Sequence, residues 1–370
     1  MKARVIAFYL PQYHPIPEND EWWGKGFTEW QNVVKAKPLF KGHYEPKIPT
    51  ELGFYDLRMP EIREEQAKLA KEAGVEGFCY WHYWLGNGKQ LLERPFNEVL
   101  HSGNPDFPFC LSWANTSWLN STWTRSKSHK KGNNIIVEQL YPGEDDYRAH
   151  FHALLPAFKD KRYICVDGKP LFVIYSPETP EIQAFIDVWR KLAVENGLKG
   201  FHFVAIARIG SLKDNLDAKD KIAQLLSFGF DAVNTWSYTL AETKCNIIKK
   251  YLGAILSKWA NIHMLTKYKQ SDINRHLYID EDCQDNVYPL LFPNWDCSPR
   301  RGRACSIYTE STPAVFSSQI ETVLELVKNK ASDHRIVFLK SWNEWGEGNY
   351  VEPDVKYGRG YLDALKKHLF

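Results

Sequence analysis

The chain has 370 residues, enough for two average domains or one large one, and its 44% hydrophobic content supplies a sizeable core. Its 47 basic and 45 acidic side chains leave a formal charge of +2, which excludes a global electrostatic footprint for nucleic acid. Aromatic content is high, 14% with 14 tryptophans, and such rings either fill a core or offer flat faces with polar edges to a ligand such as a sugar.

Seven cysteines (Cys79, Cys110, Cys165, Cys245, Cys283, Cys297, Cys305) are scattered and odd in number, and no two form a CxxC pair. Neither a disulfide framework nor a zinc site is expected, and a reducing compartment fits. The opening "MKARVIAFYLPQYHP" holds a short apolar run that stops at Pro11 without a small-residue cleavage site. No stretch approaches a membrane span, so the expectation is a soluble cytoplasmic protein.

In chain order, eight apolar runs bounded by turn residues read as strands: 5–10, 76–84, 107–114, 170–175, 201–207, 231–238, 288–295 and 335–342. Most are continuous rather than alternating, as parallel strands covered on both faces are. Helix patterns lie between them at 60–74, 147–158, 180–197 and 311–329, with a last one over 359–370; the first opens on Pro60 and closes at Gly74. This alternation predicts an α/β fold, a single (β/α)8 barrel over residues 1–370 with long loops at its C-terminal face. A doubly wound sheet is the competing architecture, but the turn after the first strand, "PQYHPIPENDEWWGKGF", lacks its glycine-rich fingerprint. The excess length falls after strand ends, at 11–59, 115–146 and 239–287, the last read as a loop or helical insertion.

Strand ends then nominate a rim. They deliver Tyr9, Gln12, Tyr13 and His14; Tyr80, His82, Tyr83 and Trp84; Trp113 and Asn115, with Trp118, Trp123 and Arg125 beyond; Tyr175; Arg208; Trp236 and Tyr238; Asn294, Trp295 and Asp296; and Trp342 and Asn343. Tryptophan at the ends of five strands points to a glycan cleft. The last strand also delivers Glu344 and Glu347 in "SWNEWGEGNY". Glycosidic chemistry needs one carboxyl to protonate the leaving oxygen and another to act as base or nucleophile, with environments that push their pKa values apart. The bland alternative is that one acid only orients the other. No metal-ligand cluster or phosphate-binding loop stands out, so no cofactor is expected.

"SWNEWGEGNYVEPD", the opening "AFYLPQYHPIPENDEWWGKGFTEWQNVVKAKPLFKGHYEPKIP", "GFCYWHYW", "FPFCLSWAN" and "PNWDCSPRRG" closely resemble the signatures of the WbsX-like, or glycoside hydrolase family 99-like, proteins. The resemblance spans nearly the whole chain and adds Trp30 and Glu352, which stand in these segments, to the substrate-binding candidates. It extends to the family 99 endo-α-mannosidases, which carry a similar "NEWxEG" segment. It implies that Glu344 deprotonates the substrate 2-hydroxyl to give a 1,2-anhydro sugar, and that Glu347 is the general acid and then base, with retention. One departure is "WANTSWLNSTWTRSKSHKKGNN", where many members carry a glutamate at the position of Thr116 and lack the inserted residues.

Three readings stay open: a retaining glycoside hydrolase of an α-linked glycan; a glycosyltransferase or transglycosylase in surface polysaccharide (O-antigen or lipopolysaccharide) synthesis; and a non-catalytic glycan-binding barrel. Arg300, Arg301 and Arg303 read as a solvated basic loop, with an anion clamp as the alternative. The run "KSHKK" (127–131) reads as solvated. Ile248, Tyr251, Leu252, Ile255 and Trp259 form a helical stripe expected to pack on the barrel, or else to dock peripherally on a membrane or a polysaccharide-synthesis complex.

Overall fold

The computed structural model describes residues 2–123, 134–210, 216–246 and 265–370. The eight expected runs form β1 (Arg4–Tyr9), β2 (Gly77–Trp84), β3 (Phe109–Trp113), β4 (Lys169–Ile174), β5 (His202–Arg208), β6 (Ala232–Trp236), β7 (Val287–Tyr288 and Leu290–Leu291) and β8 (Ile336–Leu339). Each pairs in parallel with its sequence neighbours, and β1 closes on β8 with Ala7 opposite Leu339. Pro289 has no N–H to give a ladder, and it breaks β7. The first half pairs with β6 and the second with β8, giving a near-closed barrel of nine strand segments.

Helices surround it: α1 (Pro60–Glu72), α2 (Arg94–Ser102), α3 (Glu144–Phe158), α4 (Ile182–Glu195), α5 (Ala218–Ser227), α6 (Gln270–His276), α7 (Pro313–Val327) and α8 (Gly360–Leu369). Proline opens α1 and α7, where a missing N–H costs nothing. The Thr312 hydroxyl caps α7 by accepting from Val315 N at 3.3 Å, and Asp217 caps α5 by accepting from Asp220 N at 2.8 Å. The sequence pattern did not mark α2, α5 or α6; all three are short.

Inside the barrel, Phe8 stacks on Trp81 at 4.9 Å and on Phe338 at 5.2 Å between ring centroids. A second aromatic layer lies between β3–β5 and helices α3 and α4, centred on Trp189, whose ring meets Phe185 at 4.5 Å and Phe172 at 4.8 Å. In the 239–287 segment, strand Thr266–Lys269 pairs in parallel with Ser306–Thr309, which ties it to the chain beyond β7. The stripe from Ile248 to Trp259, the run 127–131 and Arg125 lie outside the described residues. Among those described, all seven cysteines are free, and no helix is long and apolar enough to cross a membrane.

Candidate active site

Beyond β8 the chain makes a short hairpin, Asn343–Glu344 against Asn349–Tyr350, joined by the turn Trp345–Glu347. Its base is braced from the loop after β1. The Asn343 amide accepts from Leu10 N at 2.7 Å and donates to Leu10 O at 3.0 Å. The Tyr13 hydroxyl donates to Asn343 O at 2.5 Å and accepts from Trp345 N at 3.1 Å. Trp345 stacks on Tyr350 at 3.7 Å and donates its indole N–H to Glu352 at 2.7 Å. Glu352 also accepts from Tyr55 Oη at 2.9 Å and Gln66 Nε2 at 2.6 Å; burial still pushes it up to about 7.

Glu344 and Glu347 both open on a cavity of ≈ 290 Å³ at the C-terminal end of the barrel, walled by Trp81, Tyr83, Trp118, Trp123, Tyr175 and Trp236. Beneath them sits Arg300, from the short helix Ser298–Arg301. Its guanidinium donates through Nε and Nη2 to the two oxygens of Glu29 at 2.9 Å each, pairs with Glu344, and reaches Glu347 at 3.0 Å. Lys340 Nζ lies 3.8 Å from Glu347 and faces the Trp236 and Trp295 rings at 4.6 and 5.1 Å. A Cβ on Gly346 would fall 1.8 Å from Glu29 Oε1, so only glycine lets the turn and Glu29 approach.

Around this hub three carboxylates share two buried cations, so the group is one charge short of balance. Burial pushes Glu344 up to about 7 against the pull of Arg300, while Glu347 repels its charge. Burial also works against Glu347, but Arg300, Lys340 and Arg301 outweigh it and hold Glu347 below the ordinary carboxylate range. Near neutral pH Glu344 is therefore poised between its acid and its carboxylate while Glu347 favours the carboxylate, the unlike pair that one acid and one base require.

Of the strand-end candidates, Tyr83, Trp118, Trp123, Tyr175, Trp236, Glu344 and Glu347 face the cavity, and Arg208 lies 4.2 Å from the Tyr175 ring. Tyr238 stacks on Trp295 at 6.0 Å. The others are placed elsewhere. On β2 the cavity takes Trp81 and Tyr83, whereas Tyr80, His82 and Trp84 point the other way. Tyr80 meets Phe96 of α2, His82 bonds His150 of α3 at 2.8 Å, and Trp84 donates to Asp146 of α3 at 3.0 Å. A strand reverses its side chains at every residue, and here both faces are aromatic.

Trp113 donates to Trp84 O, Asn115 bonds the Ser176 backbone, and Tyr9 donates to Gln66 of α1. Trp30 donates to Tyr55 O and packs on Trp345; Trp342 is buried against Phe78. Gln12 and His14 are buried and do not line the cavity. Asn343 and Glu352 brace the turn from below. The basic-loop reading fails at Arg300, which is 8% exposed and anchors the hub; Arg301 and Arg303 are exposed, and Arg301 edges the cavity. Tyr83 was nominated and lines the cavity, whereas Glu29, Lys340 and Trp81 went unnominated. Glu29 stands in the quoted "GFTEW" segment, and Arg300 in "PNWDCSPRRG".

Among the described residues, one group has the makings of a metal site: His43, Glu45 and Asp296, all buried. The Lys47 ammonium already pairs with both carboxylates, 2.8 Å from Asp296, and His43 Nε2 lies 2.7 Å from Asp296. A divalent ion would have to expel that lysine, so the donor set fits an ion-pair network better. Asp296 N in turn donates to Glu347 O at 2.7 Å, which ties this network to the back of the hairpin.

The family described as Glycosyltransferase WbsX matches residues 5–365. Two relatives, each described as "Uncharacterized protein WxcX" and drawn from two strains of Xanthomonas campestris pv. campestris, are 34% identical over 376 residues. The alignment covers 100% of this chain and 50% of theirs, so the chain spans about half the length of the curated relatives it matches. Among solved structures it is similar to a "Glycoside hydrolase-like protein" (TM-score 0.57, 14% identity, covering 99% of this chain and 94% of that one). It is also similar to a family 99 endo-α-mannosidase from Bacteroides thetaiotaomicron (TM-score 0.58, 13% identity, covering 100% and 96%). These two likenesses speak for the fold.

Proposed function

The chain belongs to the WbsX glycosyltransferase family, and from that premise we propose that it moves a glycosyl group onto a carbohydrate hydroxyl during assembly of a surface polysaccharide, with Glu344 and Glu347 as the reacting carboxyls. Carbohydrate-active barrels of this superfamily share the architecture described above. The observation that carries the finer reading is that both carboxyls open on one aromatic-walled cavity and pair with the same buried Arg300, which, with burial, pushes their pKa values apart.

In the proposed first step one carboxylate takes the proton of the donor's 2-hydroxyl, and that oxygen attacks the anomeric carbon. The other carboxyl passes its proton to the departing oxygen, leaving a 1,2-anhydro sugar. An acceptor hydroxyl then gives its proton to that second group as its oxygen attacks the anomeric carbon; the bond from that carbon to the 2-oxygen breaks, and the first group returns its proton to the 2-oxygen, with net retention. The family resemblance makes Glu344 the base and Glu347 the acid. The resting charges run the other way, with the proton favoured on Glu344, so this order requires the incoming substrate to loosen Lys340 or Arg300 from Glu347. Residence in the cytoplasm, on a lipid-linked precursor and beside a synthesis complex, belongs to the same proposal. Hydrolysis is the second reading: water replaces the acceptor, and the likeness to an endo-α-mannosidase favours it.

The test incubates α-linked oligosaccharides in water enriched in heavy oxygen, with wild type and Glu347→Gln side by side. Lengthened chains without label, lost in the variant by about 10²–10⁴-fold, are the expected result. Label at a new reducing end supports hydrolysis instead, and no product in either overturns the catalytic reading. Aryl glycosides with good leaving groups then assign the roles: the variant of the acid keeps its first step on them, and the variant of the base does not.

A further inference from the structure

Behind the hairpin lies a second cavity, of ≈ 210 Å³, that shares no lining residue with the first. We propose that it is a second carbohydrate-binding site, taking one neutral pyranose unit of the acceptor glycan. This rests on the carbohydrate-active reading of the fold and goes beyond the reacting pair.

The walls carry rings from Tyr44, Trp295, Tyr308, Tyr350 and Tyr357, side chains that combine apolar faces with polar edges and suit the C–H face and hydroxyl rim of a sugar. Trp295 and Tyr357 are partly exposed, as a stacking platform must be. The lining is of mixed sign, with Lys47 paired to Asp296 in the floor and Lys356 over the Tyr44 and Tyr357 rings, together with Glu310 and Asp354, so no single sign of charge dominates it to select an ionic ligand. The buried Tyr44 hydroxyl lies near the Ile48 and Lys356 backbone but makes a well-formed hydrogen bond with neither, leaving it available to a ligand hydroxyl.

The two cavities are back to back. Glu347 faces the first and Gly348 the second, while Trp295 lines the second and packs against Lys340 of the first. Asp296 also lines the second and holds the Glu347 carbonyl. A sugar seated there abuts the peptide that carries a reacting carboxyl, which suits an acceptor chain gripped beside the donor.

The experiment titrates Glu347→Gln, and the same protein with Tyr357→Ala added, with mannose, galactose and rhamnose oligosaccharides, observed by ligand-detected NMR and calorimetry. Two sites are expected, one of which weakens at least tenfold with Tyr357→Ala. In the otherwise native chain, Tyr357→Ala should leave turnover of a small aryl glycoside within twofold while removing the preference for longer acceptors. Tyr44→Phe, which keeps the ring, should weaken the same site severalfold and guards against a folding artefact. A single site indifferent to both changes overturns the second site while leaving the first reading intact. Absence of any saccharide binding overturns both.

Discussion

Two regions of this molecule are equally rich in rings yet differ in what surrounds them. In the layer around Trp189, rings meet rings and polar edges end on protein: Trp189 donates to Tyr147 O at 3.0 Å, Trp113 to Trp84 O at 2.8 Å, and Trp84 to Asp146. That layer has one cation at its edge, Arg190 at 5.9 Å from the Phe203 ring, whereas in the cavity three lie over the rings. Arg300 faces Trp123 at 5.0 Å, Lys340 faces Trp236, and Arg208 faces Tyr175. Among the described residues, the buried Trp123 indole N–H has no partner. Aromatic content therefore does not distinguish the cavity from the core; the charges gathered over its rings do.

Mutation should separate the regions. Trp189→Ala is expected to destabilise the fold by about 3–5 kcal/mol, read as a large fall in Tm, with activity lost only through unfolding. Glu344→Gln should act through pH. Burial lifts this carboxyl from 4.5 to about 7, so its ionisation in the fold is penalised. The penalty is absent below the unfolded value and complete above about 7. The variant should therefore gain on wild type as pH rises from 4 to 8.5, by about 3 kcal/mol in total, measured by denaturant titration at each pH. A difference independent of pH would show that the carboxyl does not carry that burden. Trp236→Phe keeps a ring under Lys340 and should cost least, roughly fivefold in kcat/KM, with a modest fall in Tm because the buried indole N–H that donates to Asn234 Oδ1 at 2.7 Å is lost, a change worth about 1–2 kcal/mol.

The same contrast explains what could be read in advance. The eight strands were legible because parallel barrel strands are continuous apolar runs, and Glu344 and Glu347 because paired acids between glycines are rare. The facing of β2 was not legible. "GFCYWHYW" is aromatic at every position from Tyr80 to Trp84, so its alternation carries no sign of which face is inside; Tyr80, His82, Tyr83 and Trp84 all read as rim residues, and the cavity takes Tyr83 together with Trp81. Arg300 was hidden for another reason. "SPRRGR" looks like a wet loop until Glu29, 271 positions away in sequence, is found bonded to it. The break in β7 was readable from Pro289, a residue that central strands avoid.

Gly346 shows how far such remote dependence reaches. Adding one methyl group there would displace Glu29, and Arg300, freed on that side, would be left to the two carboxyls of the hairpin. The Glu344 proton would then be bound less firmly, with no change in either carboxyl of the hairpin. The acidity of this site is thus written partly in a residue with no side chain, whose contribution is the space it leaves empty.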